Sequence, residues 1–312
     1  LIELETLSRS YDDRVVIDKV SMTIPAQSVT AIVGASGAGK TTLLRMINRL
    51  IEPSAGRVLV DGVDAVRMPV HELRRQMGYV IQNHGLFPHW TVARNIATVP
   101  ALLGWPRRQI DERVGELLEL FGLDPAVFAG RYPHELSGGQ QQRVGVARAL
   151  AARPRVLLMD EPFGALDPII RAKARADLAT VQRKLGTTIV FVTHDMDEAF
   201  ELASDIAVMD AGKLVQYAPP ADLVLDPASP FVESLVGGRE RAFRLLSLRS
   251  TASMVEPGAA EGPAIAVSAS LKDALGEMIW SQRRALPVAD DTERVVGQVT
   301  LDALLRSTER PR

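Results

Sequence analysis

The sequence predicts an α/β protein, a mostly parallel sheet with helices on both faces, followed by a smaller α+β part. Three observations predict it. Short β-rich runs alternate with helical stretches through most of the chain. Strand signals fade over residues 86–152, which read as a helical insertion. After Gly237-Gly238 the texture changes to helix, strand, strand, helix. At 312 residues the chain exceeds the roughly 100–200 of one domain, so a large domain over 1–238 and a small one over 239–312 are expected.

The elements follow in order. LIELETL, VVIDKVSMTI, SVTAIVG, RVLVDG and MGYVIQ are rich in β-branched and aliphatic residues and bounded by turn formers, so each reads as a short strand. Between the third and fourth, KTTLLRMINRL at 40–50 reads as a helix. Within the insertion, DERVGELLELF at 111–121 has apolar residues at helical spacing. The α/β rhythm then resumes with VLLMDEP at 156–162, a helix over 171–185, TTIVFVTHD, a helix over 196–203, and DIAVMDAGKLV. DPASPFVESLVGGR at 226–239 closes the region, and Gly237-Gly238 reads as a hinge. Residues 251–263 form a loop containing Pro, Gly and Ala. LKDALGEMIWSQ then reads as an amphipathic helix, RALPVAD and RVVGQVT as strands, and LDALLRS as a helix. There is no close internal repeat and no low-complexity segment.

Composition narrows the partners. Lys plus Arg (36) against Asp plus Glu (38) leaves a net charge of −2, so no global basic field draws nucleic acid or an anionic membrane, and no nucleic-acid partner is expected. The absence of cysteine excludes disulfides and thiolate metal sites and fits a reducing, cytoplasmic setting. No apolar run nears the roughly 18–20 residues that cross a bilayer, and residues 1–20 lack the basic start and apolar centre of a secretion signal. A soluble chain is expected, with Leu1 suggesting that the natural start lies upstream.

GASGAGKTT at 34–42 contains G-x-x-x-x-G-K-[ST], directly after the apolar run VTAIV and before a helix. Glycines let backbone N–H groups approach phosphate oxygens with no Cβ in the way. Lys40 would reach the β and γ phosphates of a nucleotide, and the Thr41 hydroxyl would ligate Mg²⁺. A helix dipole alone supplies about 0.3–2 kcal/mol, too little to hold a nucleotide, so the lysine, the metal and the backbone cradle carry the binding. The metal also needs an acid at the end of a neighbouring buried strand, where VLLMDE offers Asp160 and Glu161. Asp160 would hold Mg²⁺ through its water shell and Glu161 would polarise the attacking water. Two acids there are also what a strand end meeting solvent looks like; the phosphate loop tips the reading toward the metal.

Further stretches, in order and spacing, resemble the ATP-binding subunits of ABC transporters over about residues 1–236: LSGGQ at 136–140 as the signature, GALD at 164–167 as the D-loop, Thr193-His194 as the switch, and Gln82 in VIQNHGLFP as the Q-loop. The resemblance implies a P-loop ATPase fold with a parallel core sheet, an antiparallel β subdomain and a helical subdomain. It implies ATP and Mg²⁺ as cofactors. Gly34, Ser36, Gly37, Ala38, Gly39, Lys40, Thr41 and Thr42 would form the phosphate and metal cradle, and Tyr11 would stack on adenine. Gln82 would sense the γ phosphate and join Thr41 and Asp160 at the metal. Glu161 would be the general base and His194 the γ-phosphate linchpin. Ser137, Gly138, Gly139 and Gln140, with Asp167, would grip the ATP of the other subunit, so a head-to-tail homodimer is implied.

Closer wording is similar to importer subunits for glycine betaine, choline and carnitine: NHGLFPHWTVARNIATVPALLGW, RYPHELSGGQQQRVGVARALAA, MDEPFGALDPIIR and THDMDEAFELASDIAVM. Importers of other small solutes share some of it. The implied partners are integral membrane permease subunits and, through them, an extracytoplasmic solute-binding protein. The implied place is the cytoplasmic face of the plasma membrane. The apolar FPHW after Gln82 would dock the permease, although a buried turn reads the same way. RALPVADDTERVVGQVTLDALL resembles a CBS repeat. Such modules usually come in pairs, and only one copy follows Gly238; its Thr300 is followed three residues later by Ala303, with Asp302 one residue early for a ribose grip. Regulation and passive support both stay open for this part. The rival from another class is a soluble ABC ATPase acting on nucleic acid or ribosomes, whose paired cassettes or long coiled coil do not occur in this sequence.

Overall fold

The computed structural model describes residues 1–307 other than 13, 83, 84 and 165. Its strands run β1 (Ile2–Tyr11), β2 (Arg14–Ile24), β3 (Val29–Gly34), β4 (Ala55–Val60), β5 (Val63–Asp64), β6 (Met77–Val80), β7 (Val156–Asp160), β8 (Thr188–Val192), β9 (Asp205–Asp210) and β10 (Lys213–Ala218). Every residue of β7 and β8 is buried, as strands covered on both faces must be. They lie in a six-stranded sheet of order β10-β9-β3-β8-β7-β6, whose β9/β3, β3/β8, β8/β7 and β7/β6 pairs are parallel. β10 returns beside β9 through Ala211 (φ 45°) and Gly212 (φ 82°), the two positive φ values of a tight hairpin turn.

The expectation of one mostly parallel sheet holds for these six strands. β1, β2, β4 and β5 form a separate antiparallel sheet of order β2-β1-β4-β5, the antiparallel β subdomain that the resemblance implies. The reason is local: β1 turns directly into β2 with Tyr11 opposite Arg14, and only a crossover connection would have made them parallel. Register shifts at Leu4/Leu7, Leu7/Arg9 and Arg9/Ser10 bend β1 before it reaches Tyr11. The helix Lys40–Ile47 joins the two sheets. Its Leu43, Leu44, Met46 and Ile47 share one core with Ile2, Leu7, Ile17 and Ile24 of the antiparallel sheet and Ile32, Leu158 and Val190 of the parallel one. Each such side chain contributes about 1.5–3 kcal/mol on burial, which fixes the start of the helix against both sheets.

Between β6 and β7 the described residues contain helices and turns, as expected for 86–152. The helix Arg107–Leu120 buries Ile110, Val114, Leu117 and Leu118, one stripe at helical spacing. Gly138–Leu150 follows, then Pro168–Leu185 between β7 and β8 and Met196–Leu202 after β8.

The chain divides into two compact units, Leu1–Tyr217 and Ala218–Arg312, so the boundary lies ahead of the Gly237-Gly238 turn. The helix Pro220–Leu225 packs on Arg241–Ser247, and Arg241 Nη1 lies 2.7 Å from Glu233 Oε1, which ties the stretch before Gly238 into the second unit. That unit holds β11 (Ile265–Ala266), β12 (Ala285–Ala289) and β13 (Val295–Thr300) in that order, β11/β12 parallel and β12/β13 antiparallel. Leu246, Leu271, Met278, Leu286, Val288, Val299 and Leu304 form its core. β11 is only two residues long, too short to leave a periodic signal in the sequence. Among the described residues, no helix is long and apolar enough to cross a membrane.

Candidate active site

β3, β8 and β7 are neighbours, and their register sets Ile32 beside Val192 and Val192 beside Asp160. The carboxyl ends of the three strands are therefore level. The loops that leave them, at Gly34, at Glu161 and at Thr193-His194, meet on one edge of the sheet, where parallel α/β sheets place their ligands.

The phosphate loop is shaped by three glycines with positive φ: Gly34 (143°), Gly37 (78°) and Gly39 (93°). A Cβ at Gly34 would lie 1.9 Å from the Met209 carbonyl oxygen, and one at Gly39 would lie 2.7 Å from that of Val16; at Gly37 it would meet nothing within 4 Å. Two glycines thus let the loop pass against the chain's own backbone, and the third, at φ 78°, takes a turn that favours glycine. The Ala38 N–H donates to the Ala35 carbonyl at 3.2 Å and closes the turn. Lys40 is buried, and its ammonium donates to the carbonyls of Gly34 (2.9 Å) and Ala35 (2.8 Å). Burial lowers the Lys40 pKa, while the charges of Glu161 and Asp160 oppose that shift. Thr41 Oγ1 donates to Asp160 Oδ1 at 2.8 Å, and Arg45 Nη2 donates to Asp160 Oδ2 at 3.3 Å.

Glu161 sits in the left-handed region (φ 46°), held there by its N–H donating to the Val192 carbonyl at 3.0 Å. Its Oε2 accepts from Gln82 Nε2 at 3.0 Å, and its Oε1 lies 3.7 Å from His194 Nδ1. The three residues expected to do the chemistry are thus brought together. Gln82 hydrogen-bonds Glu161, not the Thr41–Asp160 pair where its metal role was expected. A cavity of about 550 Å³ opens on Tyr11, Ser36, Gly37, Gly39, Lys40, Thr41, Thr42, Glu161 and His194, a size suited to a nucleotide. One face of the Tyr11 ring is covered by the Arg9 guanidinium, 4.4 Å from the ring centre.

The signature residues are elsewhere. Ser137 caps the helix Gly138–Leu150, its Oγ accepting from the Gln140 N–H (3.4 Å) while Gln140 Oε1 accepts from the Ser137 N–H (2.9 Å). Asp167 caps the next helix, Pro168–Leu185, through the Ile170 N–H at 3.1 Å. None of Ser137, Gly138, Gly139, Gln140 and Asp167 lines the phosphate cavity. Asn83 and His84 of the Q-loop wording and Ala165 of GALD lie outside the described residues.

Sequence reasoning missed Asn95. It is fully buried in the helix Val92–Ile96; its Nδ2 donates to the carbonyls of Phe87 (3.1 Å), Trp90 (3.1 Å) and Thr91 (3.0 Å), and its Oδ1 accepts from the Phe87 N–H (2.8 Å). One amide therefore shapes the FPHW turn. The only trace in the sequence is an asparagine between the apolar Val92 and Ile96. Asn95→Leu is expected to destabilise the chain by about 1.5–4.5 kcal/mol, three hydrogen bonds (two amide hydrogens shared among three carbonyls, and one accepting oxygen) at roughly 0.5–1.5 each, readable as a lowered Tm. Beside the turn, Phe87, Trp90, Arg94, Leu102 and Val114 line a groove of about 850 Å³.

A family model described as ABC transporter matches residues 17–164. Over 306 residues the chain is 46% identical to the glycine betaine uptake system ATP-binding protein YehX of Escherichia coli (strain K12), covering 98% of this chain and 99% of that one. The chain belongs to the ATP-binding subunits of ABC transporters. This ABC subunit is also 44% identical over 307 residues to the glycine betaine/carnitine/choline transport ATP-binding protein OpuCA of Bacillus subtilis (strain 168), covering 97% of this chain and 79% of that one. Among solved structures, the dimeric post-hydrolysis state of the ATP-binding cassette MJ0796 bound to ADP and Pi matches with a TM-score of 0.63 and 29% identity, over 70% of this chain and 98% of that one. As an ABC ATPase, the subunit binds and hydrolyses ATP.

Proposed function

We propose that this subunit powers uptake of a quaternary-amine osmoprotectant, glycine betaine, choline or carnitine, by hydrolysing ATP in a head-to-tail pair. The observation that carries the reading is the 46% identity to YehX along 98% of the chain, both units included. The chain has what hydrolysis requires. Lys40 and the loop N–H groups bind the phosphates, and the Tyr11 face opposite Arg9 receives adenine. Glu161 takes the proton of the attacking water, and Gln82 and His194 hold that carboxylate and the γ phosphate in register. Thr41 and Asp160 offer hard oxygen donors already 2.8 Å apart, with Gln82 as the third expected ligand, which suits Mg²⁺. When bound, the ion offsets phosphate charge.

The pairing is supported by what one chain leaves incomplete: its signature turn lines no part of its own cavity, so a second copy supplies that grip. Switching such a pair from mostly open to mostly closed takes about 5.5 kcal/mol of differential binding, within reach of a γ phosphate gripped from both sides. The groove beside Phe87 and Trp90 is the docking surface for the permease, through which the subunit sits on the cytoplasmic face of the membrane and is served by an extracytoplasmic solute-binding protein. Reconstituted uptake with a panel of solutes tests the reading: ATP-driven accumulation of a quaternary amine is expected. Accumulation of sulfate or an amino acid instead, or co-purification with ribosomes or nucleic acid in place of a permease, would overturn it.

The second unit is read as a CBS-like regulator on its wording and its strand–strand–helix end. Its Thr300 and Asp302 are committed within the unit: Thr300 Oγ1 donates to Glu256 Oε2 (3.3 Å) and accepts from the Ala303 N–H (3.2 Å), and Asp302 pairs with Arg284 (3.1 Å). Nucleotide sensing therefore gains no support here. The exposed Arg284–Asp302 and Arg306–Glu256 pairs are the kind that salt screens. Removing residues 219–312 is expected to change how uptake depends on ionic strength; an unchanged profile leaves the unit a structural role.

A further inference from the structure

Behind the loop that carries His194 lies a carboxylate that the chemistry above does not use. Glu198, on the helix Met196–Leu202, is 3% exposed, and its Oε2 accepts a 2.6 Å hydrogen bond from Thr193 Oγ1. The same hydroxyl oxygen accepts from the Asp195 N–H at 3.0 Å. Asp195 Oδ1 in turn accepts from the N–H groups of Asp197 (2.8 Å) and Glu198 (3.4 Å). Both neighbours of His194 are therefore anchored, and the anchor is Glu198. Burial raises the Glu198 carboxyl pKa, Thr193 opposes the shift, nearby Asp195 adds to it, and Arg171 and Arg175 counter it.

Arg171 reaches this anchor from the first turn of Pro168–Leu185. Its Nη1 donates to Asp195 Oδ2 (3.3 Å) and its Nη2 to the Leu166 carbonyl (3.1 Å). Its Nε is buried with no hydrogen-bond partner among the described residues, 3.9 Å from Glu198 Oε1. A buried donor this close to a carboxylate gains a bond if the two approach by about 1 Å, so the clamp has a tighter state available. The preceding residue, Ile170, faces the other way along the chain's machinery: a Cβ on Gly139 would lie 2.2 Å from Ile170 Cγ2, so that side chain rests directly on the signature turn. One helical turn thus touches the signature turn with one residue and the His194 loop with the next.

We infer that Arg171 is a positioning residue: clamped to Asp195, Glu198 and the Leu166 carbonyl, it sets His194 according to how the signature turn is held. The inference rests on the ATPase reading of His194 and on the head-to-tail pairing. It differs from a packing role in one respect, because Arg171 acts through His194 and the two substitutions should not add.

The test uses the full chain. Arg171→Met is expected to lower kcat by about 10- to 100-fold, the loss that goes with misplacing one group by about an ångström. ATP affinity in the single chain should stay within about twofold, and Arg171→Lys should recover part of the rate by keeping the charge without the fork. His194→Ala/Arg171→Met should turn over as His194→Ala does, within about twofold. Additive losses in the double variant, or a kcat for Arg171→Met within about twofold of the parent, would overturn the inference. If Arg171→Met does not fold, Glu198→Gln decides: it keeps an acceptor for Thr193 and removes the charge facing Arg171. A lowered kcat at unchanged ATP affinity supports the clamp, and an unchanged kcat removes it. Failure of the underlying reading looks different, since Glu161→Gln would then remain monomeric in ATP whatever stands at position 171.

Discussion

Glu161→Gln is expected to stop steady-state hydrolysis, a loss of about 10²–10⁴-fold for a general base, while ATP binding survives. The geometry singles this residue out. Of the two acids at the end of β7, Asp160 is already engaged on both oxygens, by Thr41 and by Arg45, and is 4% exposed. Glu161 faces the cavity, with Gln82 at 3.0 Å and His194 at 3.7 Å. An amide has the same shape and keeps one acceptor oxygen for Gln82, but it cannot take a proton. Its backbone strain at φ 46° is the same in both forms, so the variant's stability should be unchanged within about 0.5 kcal/mol. With hydrolysis blocked, ATP should hold two chains together. Phosphate release, nucleotide titration and size-exclusion chromatography with ATP read the three parts. Retained turnover would remove Glu161 from the general-base role, and a monomer at saturating ATP would remove the pairing.

Gly138→Asp is expected to cut turnover by about 10²–10³-fold, the loss seen when one charge-stabilising group is removed or opposed, with single-chain ATP binding unaffected. The signature turn offers two glycines, and the fold decides between them as probes. Gly139 is buried, and any Cβ there runs into Ile170, so a substitution at Gly139 confounds packing with ligand contact. Gly138 is exposed, and its nearest neighbour to a new Cβ is Leu166 Cδ2 at an ordinary 3.9 Å. A carboxylate in the first turn of Gly138–Leu150 should favour the helix by about 0.3–1 kcal/mol, so loss of activity cannot be ascribed to unfolding. The same charge would repel a phosphate brought by the second copy. An unchanged Tm with intact monomer binding and no ATP-driven dimer is the expected pattern. Weakened binding in the monomer would place the signature turn in its own chain's site.

Legibility in the sequence followed distance along the chain. The phosphate loop was readable because strand, glycines, Lys40 and Thr41 are consecutive and each is needed for a local reason. Gln82 was readable only through resemblance, and its contact with Glu161, across 79 residues, was not readable at all. Asn95, Arg171 and Glu198 were invisible for a related reason: a single polar residue in a helix carries no periodic signal, and its importance lies in what packs against it. The division at Tyr217/Ala218 escaped notice because short helices after β10 fold onto later ones.

By itself the sequence determined the class of the main unit, the phosphate loop with its lysine and hydroxyl, and the paired acids. These are properties of short segments, where side-chain chemistry and backbone freedom are set by adjacent residues. The tertiary structure decided the rest. It joined the two sheets through the helix Lys40–Ile47 and brought Gln82, Glu161 and His194 to one edge of the parallel one. Strand order and register did this, and they are settled by which apolar faces are buried together across the whole chain, information that no local stretch of residues carries.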